Sequence, residues 1–119
     1  MKKGIVSLVL DFVLGVAVIM LMGYFFDGVY VKDFQVAFLV AIVLALLNTF
    51  IKPILTIIAL PITIMSLGIF QLIINGFILS LAQDVLAPDF YIESFGLTIV
   101  VSIVISILYS LLGIGKDNE

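Results

Sequence analysis

The stretch GIVSLVLDFVLGVAVIMLMGYFF, residues 4–26, decides the fold class, because it is a long apolar run that only Asp11 interrupts. A helix that crosses a bilayer needs about 20 largely apolar residues. Three further apolar runs follow, and the expected spans are residues 4–26, 34–58, 67–86 and 95–112. The sequence therefore predicts an all-α polytopic membrane protein, with a bundle of four transmembrane helices in a single transmembrane domain.

The composition excludes several classes of protein. Hydrophobic residues make up 65% of the 119 residues and charged residues 11%, whereas a soluble domain is about 25% charged. A soluble domain of this size leaves too much surface in water to hide so much apolar area. The net charge of −3 argues against a nucleic-acid partner. Without Cys or His the chain offers no disulfide, zinc site or acid–base constellation, so we expect no enzyme, metal or cofactor.

The distribution of charge predicts the orientation of the bundle. Positive residues favour the cytoplasmic side of proteins with short loops. If the N-terminus faces the cytoplasm, four of the five lysines fall on that side: Lys2, Lys3, Lys52 and Lys116. The acidic residues Asp27, Asp33, Asp84, Asp89 and Glu93 then fall outside, with Lys32 as the one outer cation. We expect both termini to face the cytoplasm.

The segment 53–66 is the ambiguous part of the chain. It has 14 uncharged residues, and Pro61 interrupts it. We interpret it as the end of the second helix followed by a turn, because Pro61 lacks a backbone donor and Gly68 permits a tight bend. A re-entrant hairpin is the alternative, since apolar runs of this length often do not cross the membrane.

Each predicted span carries polar or small residues on one side. Such residues pack helices together and form hydrogen bonds between them, and they also line aqueous paths. The candidate interhelical or pore-lining residues are Asp11, Asn48, Lys52, Gln71, Asn75, Ser102 and Ser106. Asp11 and Lys52 are costly inside a membrane, and an ion pair between them is one hypothesis. The alternatives are that Lys52 reaches the headgroups while Asp11 lies nearer the interface, or that Asp11 handles protons or cations.

The central segment resembles a known family. The stretch NTFIKPILTIIALPITIMSLGIF, residues 48–70, is similar to the signature of phage holin superfamily IV, the mycobacterial-type four-span proteins that include YvlD-like proteins. The family's pattern falls on Asn48, Lys52, Pro53, Leu60, Pro61, Thr63, Leu67, Gly68 and Asn75. Lys52 stands where the family commonly has Arg. The resemblance covers roughly residues 34–112, and it implies an inner turn that includes Pro61, Thr63 and Gly68.

Two classes of function remain open. The resemblance implies a multi-pass protein of the bacterial inner membrane, holin-like, that self-associates and forms or modulates a pore. The alternative is a non-conducting membrane scaffold or envelope-stress partner without transport activity, and a small transporter ranks third. The expected partners are the lipid bilayer and further copies of the chain, whereas other protein partners are not written in the sequence.

Overall fold

A computed structural model of the protein describes residues 4–114. Its elements, in chain order, are α1 (Ile5–Phe25), β1 (Val29–Val31), α2 (Phe34–Leu46), a π-helical segment (Leu47–Ile51), α3 (Lys52–Ile58), α4 (Leu60–Met65), α5 (Ile69–Leu86), β2 (Phe90–Ile92) and α6 (Phe95–Leu112). Lys2, Lys3 and Lys116, on which the predicted orientation partly depends, lie outside the described residues.

Within residues 4–114, four helices are long and apolar enough to cross a membrane: Ile5–Phe25, Phe34–Ile58, Ile69–Leu86 and Phe95–Leu112. The predicted fold class is therefore confirmed. The polar residues beside the apolar runs fix where two of the helices begin. The Asp33 carboxylate accepts a hydrogen bond of 2.9 Å from the Val36 N–H, and the Ser94 hydroxyl accepts one of 3.1 Å from the Leu97 N–H. Both satisfy a first-turn donor that the helix itself leaves unpaired.

A short antiparallel strand pair closes one end of the bundle. Val29 pairs with Ile92, Tyr30 with Tyr91 and Val31 with Phe90, and the two tyrosine rings lie 5.3 Å apart. The sequence does not predict these strands, because three residues are too few to show an alternating pattern. The strands join the α1–α2 connection to the α5–α6 connection. We call this the strand end of the bundle and the opposite end, with α4, the turn end.

The second span changes its helical geometry in the middle. Residues Leu47–Ile51 are π-helical, and the Lys52 N–H donates to the carbonyl of Leu47, five residues earlier. Pro53 explains the change, because its missing N–H cannot bond to the Thr49 carbonyl and its ring would clash with it. π-Helical segments of this kind occur frequently at functional sites.

The region expected to be a turn is partly helical. Residues Leu60–Met65 form α4, with Pro61 at one of its first two positions, where a proline is favourable because the helix needs no donor there. The left-handed residues of this region follow α4. Leu67 has φ 59° and Gly68 has φ 93°, both left-handed. The structure therefore corrects the expected turn from Pro61: Pro61 and Thr63 belong to a helix, and Gly68 belongs to the turn.

The buried core lies in the half of the bundle nearer the strand end. It contains Ile19 and Met22 of α1, Val40 of α2, Leu79 of α5 and Val101 of α6. Phe90 of β2 is 2% exposed and covers this core. In the other half, much of the turn-end part of α1 is exposed. This half of the bundle is therefore less tightly packed than the half nearer the strand end.

Candidate functional site

A small polar cavity lies between α2, α3, α5 and α6 in the half nearer the turn end. Its volume is about 50 Å³, and it is half open. Five of the seven polar residues singled out in the sequence line it: Asn48, Lys52, Asn75, Ser102 and Ser106. The cavity has room for water, which needs about 10–15 Å³ and two to four polar partners. We call it the polar cavity.

Asn48 and Lys52 reach the polar cavity from the π-helical segment and the residue that follows it. Asn75 enters from α5, so the two asparagines of the similar LLNTFI and IINGFI stretches line the same space. The Asn75 Oδ1 atom is buried and has no hydrogen-bond partner among the described residues. An unpaired buried oxygen costs about 1–3 kcal/mol, so this atom favours a polar occupant beside it.

The α6 residues divide into a packed half and an open half. The Thr98 hydroxyl donates to the Ser94 carbonyl at 2.8 Å and accepts from Gln83 Nε2 at 3.1 Å. Ser102 is buried and donates to the Ile99 carbonyl at 2.8 Å. Ser106, one turn further, is exposed and lines the polar cavity. Thr98 thus links α6 to Gln83 of α5, Ser102 bonds within α6, and Ser106 lines the polar cavity.

A second, larger cavity lies between α1, α2 and α6, and we call it the α1 cleft. Its volume is about 680 Å³, and Asp11 is the charged residue that lines it. Lys52 lines the polar cavity instead, and of the described residues around that cavity it alone carries a charge. The structure thus does not bring Asp11 and Lys52 together in one cavity, and the ion pair proposed from the sequence stays a prediction.

Tyr109 is the residue of the site that the sequence analysis missed. With Asn48 it lines both the polar cavity and the α1 cleft, so these two side chains stand between the two spaces. Its hydroxyl oxygen lies 3.2 Å from the position that a Cβ on Gly15 would occupy. The signal was its spacing, because Tyr109 lies three residues after Ser106 and therefore on the same face of α6.

The remaining predicted residues lie elsewhere. Gln71 is in the first turn of α5, where its N–H donates to the Gly68 carbonyl at 3.1 Å, and it lines neither cavity. Thr63 donates its hydroxyl to the Ala59 carbonyl at 3.0 Å inside the short helical region. Among the described residues, no group of His, Cys, Asp or Glu has the arrangement of a metal site. The arrangement around the polar cavity can hydrate or hold a small polar species.

Four apolar spans with two cavities lined by polar residues between them define a polytopic helical membrane protein. Comparison with known proteins identifies the family. The chain belongs to the family described as mycobacterial 4 TMS phage holin, superfamily IV, whose model matches residues 6–111. The resemblance seen in the central segment is confirmed.

Two relatives extend this comparison. The chain is 31% identical to the uncharacterized membrane protein YvlD of Bacillus subtilis over 112 residues, which cover 94% of this chain and 91% of the relative. It is 32% identical to the uncharacterized protein SCO3922 of Streptomyces coelicolor over 72 residues, 58% of each chain. No solved structure matches the chain significantly.

Proposed function

We propose that this holin-family protein resides in the bacterial inner membrane as a homo-oligomer, in which the polar cavity and the α1 cleft form part of a water-filled path. The observation that carries this function is that polar side chains from all four spans line two adjoining cavities: Asp11, Asn48, Lys52, Asn75 and Ser106. The two cavities share Asn48 and Tyr109. Polar groups inside a membrane usually face a protein interior or a water-filled space.

Self-association follows from the exposed members of this set. Asn48, Thr49 and Ser106 are exposed on the single chain, although each lies well inside a span. Acyl chains offer these groups no hydrogen-bond partner, and burial without a partner costs several kcal/mol. A neighbouring copy, or the water between copies, would satisfy them.

The strand end supports a path that is completed only in the assembly. Neither cavity is lined by a residue of β1 or β2, and the core residues Phe90 and Ile92 fill that end of the single chain. Solutes that enter at the turn end would therefore pass between protomers rather than along the axis of one bundle.

Flux measurements on reconstituted protein test this function. We expect liposomes with the wild-type chain to release potassium and a small trapped dye. Asn75→Leu should reduce the rate about tenfold or more, because it replaces the polar lining with a side chain of similar size. Since the Asn75 Oδ1 atom has no described partner, this change should cost the fold little.

Gln35→Leu is the matched control, because it also removes one amide, at an exposed position of α2 away from both cavities. It should leave the flux unchanged. Wild-type liposomes that show cross-linked oligomers but leak no faster than empty ones would refute the conducting function.

The closed strand end also favours a second candidate, a non-conducting membrane scaffold. In that case the polar cavity stabilises the bundle or a contact with another membrane protein. This function predicts no flux from any variant, together with a membrane partner that co-purifies with the wild-type chain and is lost with Asn48→Leu.

A further inference from the structure

The connection between the second and third spans differs from an ordinary loop of a membrane protein because it carries no charge. Residues 53–83 form an unbroken run without Asp, Glu, Lys or Arg, and this run includes α4 and the turn. Its apolar side chains point away from the protein: Ile58 is 72% exposed, Met65 84% and Leu67 92%. Water is a poor solvent for such a surface, since each fully exposed side chain of this size forgoes about 1.5–3 kcal/mol of burial.

We propose that the turn segment, residues 59–69, lies among the acyl chains of the leaflet at the turn end rather than in the aqueous phase beyond it. The occupant of this exposed apolar surface is therefore lipid. This placement concerns the depth of the turn and does not depend on whether the protein conducts.

The backbone of the turn segment satisfies the main requirement for a place in lipid. Backbone donors inside the hydrocarbon region must be paired within the protein. The Ser66 N–H donates to the Ile62 carbonyl at 3.0 Å, the Leu67 N–H to Ile64 at 3.1 Å and the Gly68 N–H to Thr63 at 2.8 Å. Even where the chain reverses, these donors are not left for water.

The side-chain hydroxyls of the segment are also paired internally. The Thr63 hydroxyl donates to the Ala59 carbonyl at 3.0 Å, and the Ser66 hydroxyl donates to the Thr63 carbonyl at 3.1 Å. The Ser66 oxygen in turn accepts from the Phe70 N–H at 3.0 Å, so it also pairs a donor at the start of α5. A loop in water does not need these internal hydrogen bonds, because water satisfies its polar groups.

The length of α5 also places the turn segment among the acyl chains. Its 18 residues extend about 27 Å at 1.5 Å per residue, slightly less than the roughly 30 Å hydrocarbon core. Asp84, near its far end, marks the charged boundary at the strand end. With that end at the membrane surface, Ile69 and the adjoining turn lie within the opposite acyl-chain boundary.

Single cysteines test the depth, because the natural chain contains none. Leu67→Cys is the main variant. Met65→Cys is the second variant, because Leu67 has a left-handed backbone conformation and its replacement can disturb folding. The protein is placed in lipid nanodiscs, which expose both faces to a membrane-impermeant maleimide. Lys32→Cys, at an exposed position at the strand end, is the control for water. Val13→Cys, exposed in the middle of α1, is the control for lipid.

We expect the cysteines at positions 65 and 67 to react at least tenfold more slowly than the one at position 32, and at a rate close to that of position 13. All four should react fully in denaturing SDS. A fluorophore at position 67 should be quenched by doxyl-labelled lipids and little affected by aqueous iodide.

Labelling at positions 65 and 67 as fast as at position 32 would show a turn in water and overturn the placement. Slow labelling without quenching by doxyl lipids would show that protein, such as a second copy, covers the turn, and this result would overturn it as well.

Discussion

Replacement of Gly76 by Ala tests a close approach between α5 and α6. A Cβ on Gly76 would lie 2.7 Å from Ile99 Cγ1 and 3.3 Å from Ile99 Cα. Ordinary carbon contacts are about 3.5–4.0 Å, so the side-chain contact would be about 0.8 Å too short. Ile99 cannot rotate away easily, because β-branched side chains in helices have one strongly preferred rotamer. The change must therefore push α5 and α6 apart.

The magnitude follows from two opposing terms. Overpacking costs about 1–3 kcal/mol, whereas replacing Gly by Ala inside a helix gains about 1 kcal/mol. Gly96→Ala is the matched control, since the nearest atom to its Cβ would be the Ser94 Oγ at 4.0 Å. The helical gain is smaller at Gly96, which lies in the first turn of α6, so the gain cancels only in part. We therefore expect Gly76→Ala to be less stable than Gly96→Ala by about 1–2 kcal/mol.

Unfolding by SDS in dodecylmaltoside micelles measures this difference. Fluorescent dyes are attached to cysteines introduced at positions 32 and 65. Energy transfer between the dyes measures the distance between the strand end and the turn end. Ile99→Ala should relieve Gly76→Ala, because it removes the Cγ1 atom, and the double-mutant cycle should show a coupling of about 0.5–3 kcal/mol. If Gly76→Ala proves as stable as Gly96→Ala, the close packing of α5 on α6 is refuted.

Two further changes should destabilise the strand end, and the same SDS titration measures both. Gln83→Leu removes the amide oxygen that accepts from the Ile92 N–H at 2.9 Å, and it should cost about 1–3 kcal/mol because that donor loses its partner; no loss would mean that the amide does not tie β2 to α5. Asp33→Ala removes the cap on the Val36 N–H and should cost about 0.5–2 kcal/mol. Asp27→Ala, at an exposed position before β1, is its control, and an equal loss from both would contradict the capping role.

The sequence was sufficient for the spans and for most of the polar cavity. Lipid rejects charged and polar groups so strongly that apolar runs identify the helices and polar residues within them identify the inner faces. Asn48, Lys52, Asn75, Ser102 and Ser106 were selected on this basis, and the structure brings all five to one cavity.

The features that the sequence did not predict depend on tertiary contacts. Strands of three residues, VYV and FYI, form only because two connections meet at the same end of the bundle. The predicted span 34–58 runs through Pro53, and the sequence did not predict that a π-helical segment would accommodate this proline. Tyr109 was overlooked because aromatic residues near span ends usually mark the membrane interface, whereas this one turns inward toward Gly15.

The first part of α1 is largely exposed, and this exposure allows it to move relative to the rest of the bundle. Ile5, Val6, Leu8, Val9 and Leu10 are each more than half exposed, although they point in different directions around the helix. Gly15, by contrast, is buried beside Tyr109 and Ala41. The ten residues from Gly15 back to Ile5 form a lever of about 15 Å. A rotation of about 20° at Gly15 would carry Ile5 sideways by about 5 Å at this helical rise and change the width of the α1 cleft. It would also move Phe12, which packs against the core and lies edge-on to Phe38 with the ring centroids 5.3 Å apart.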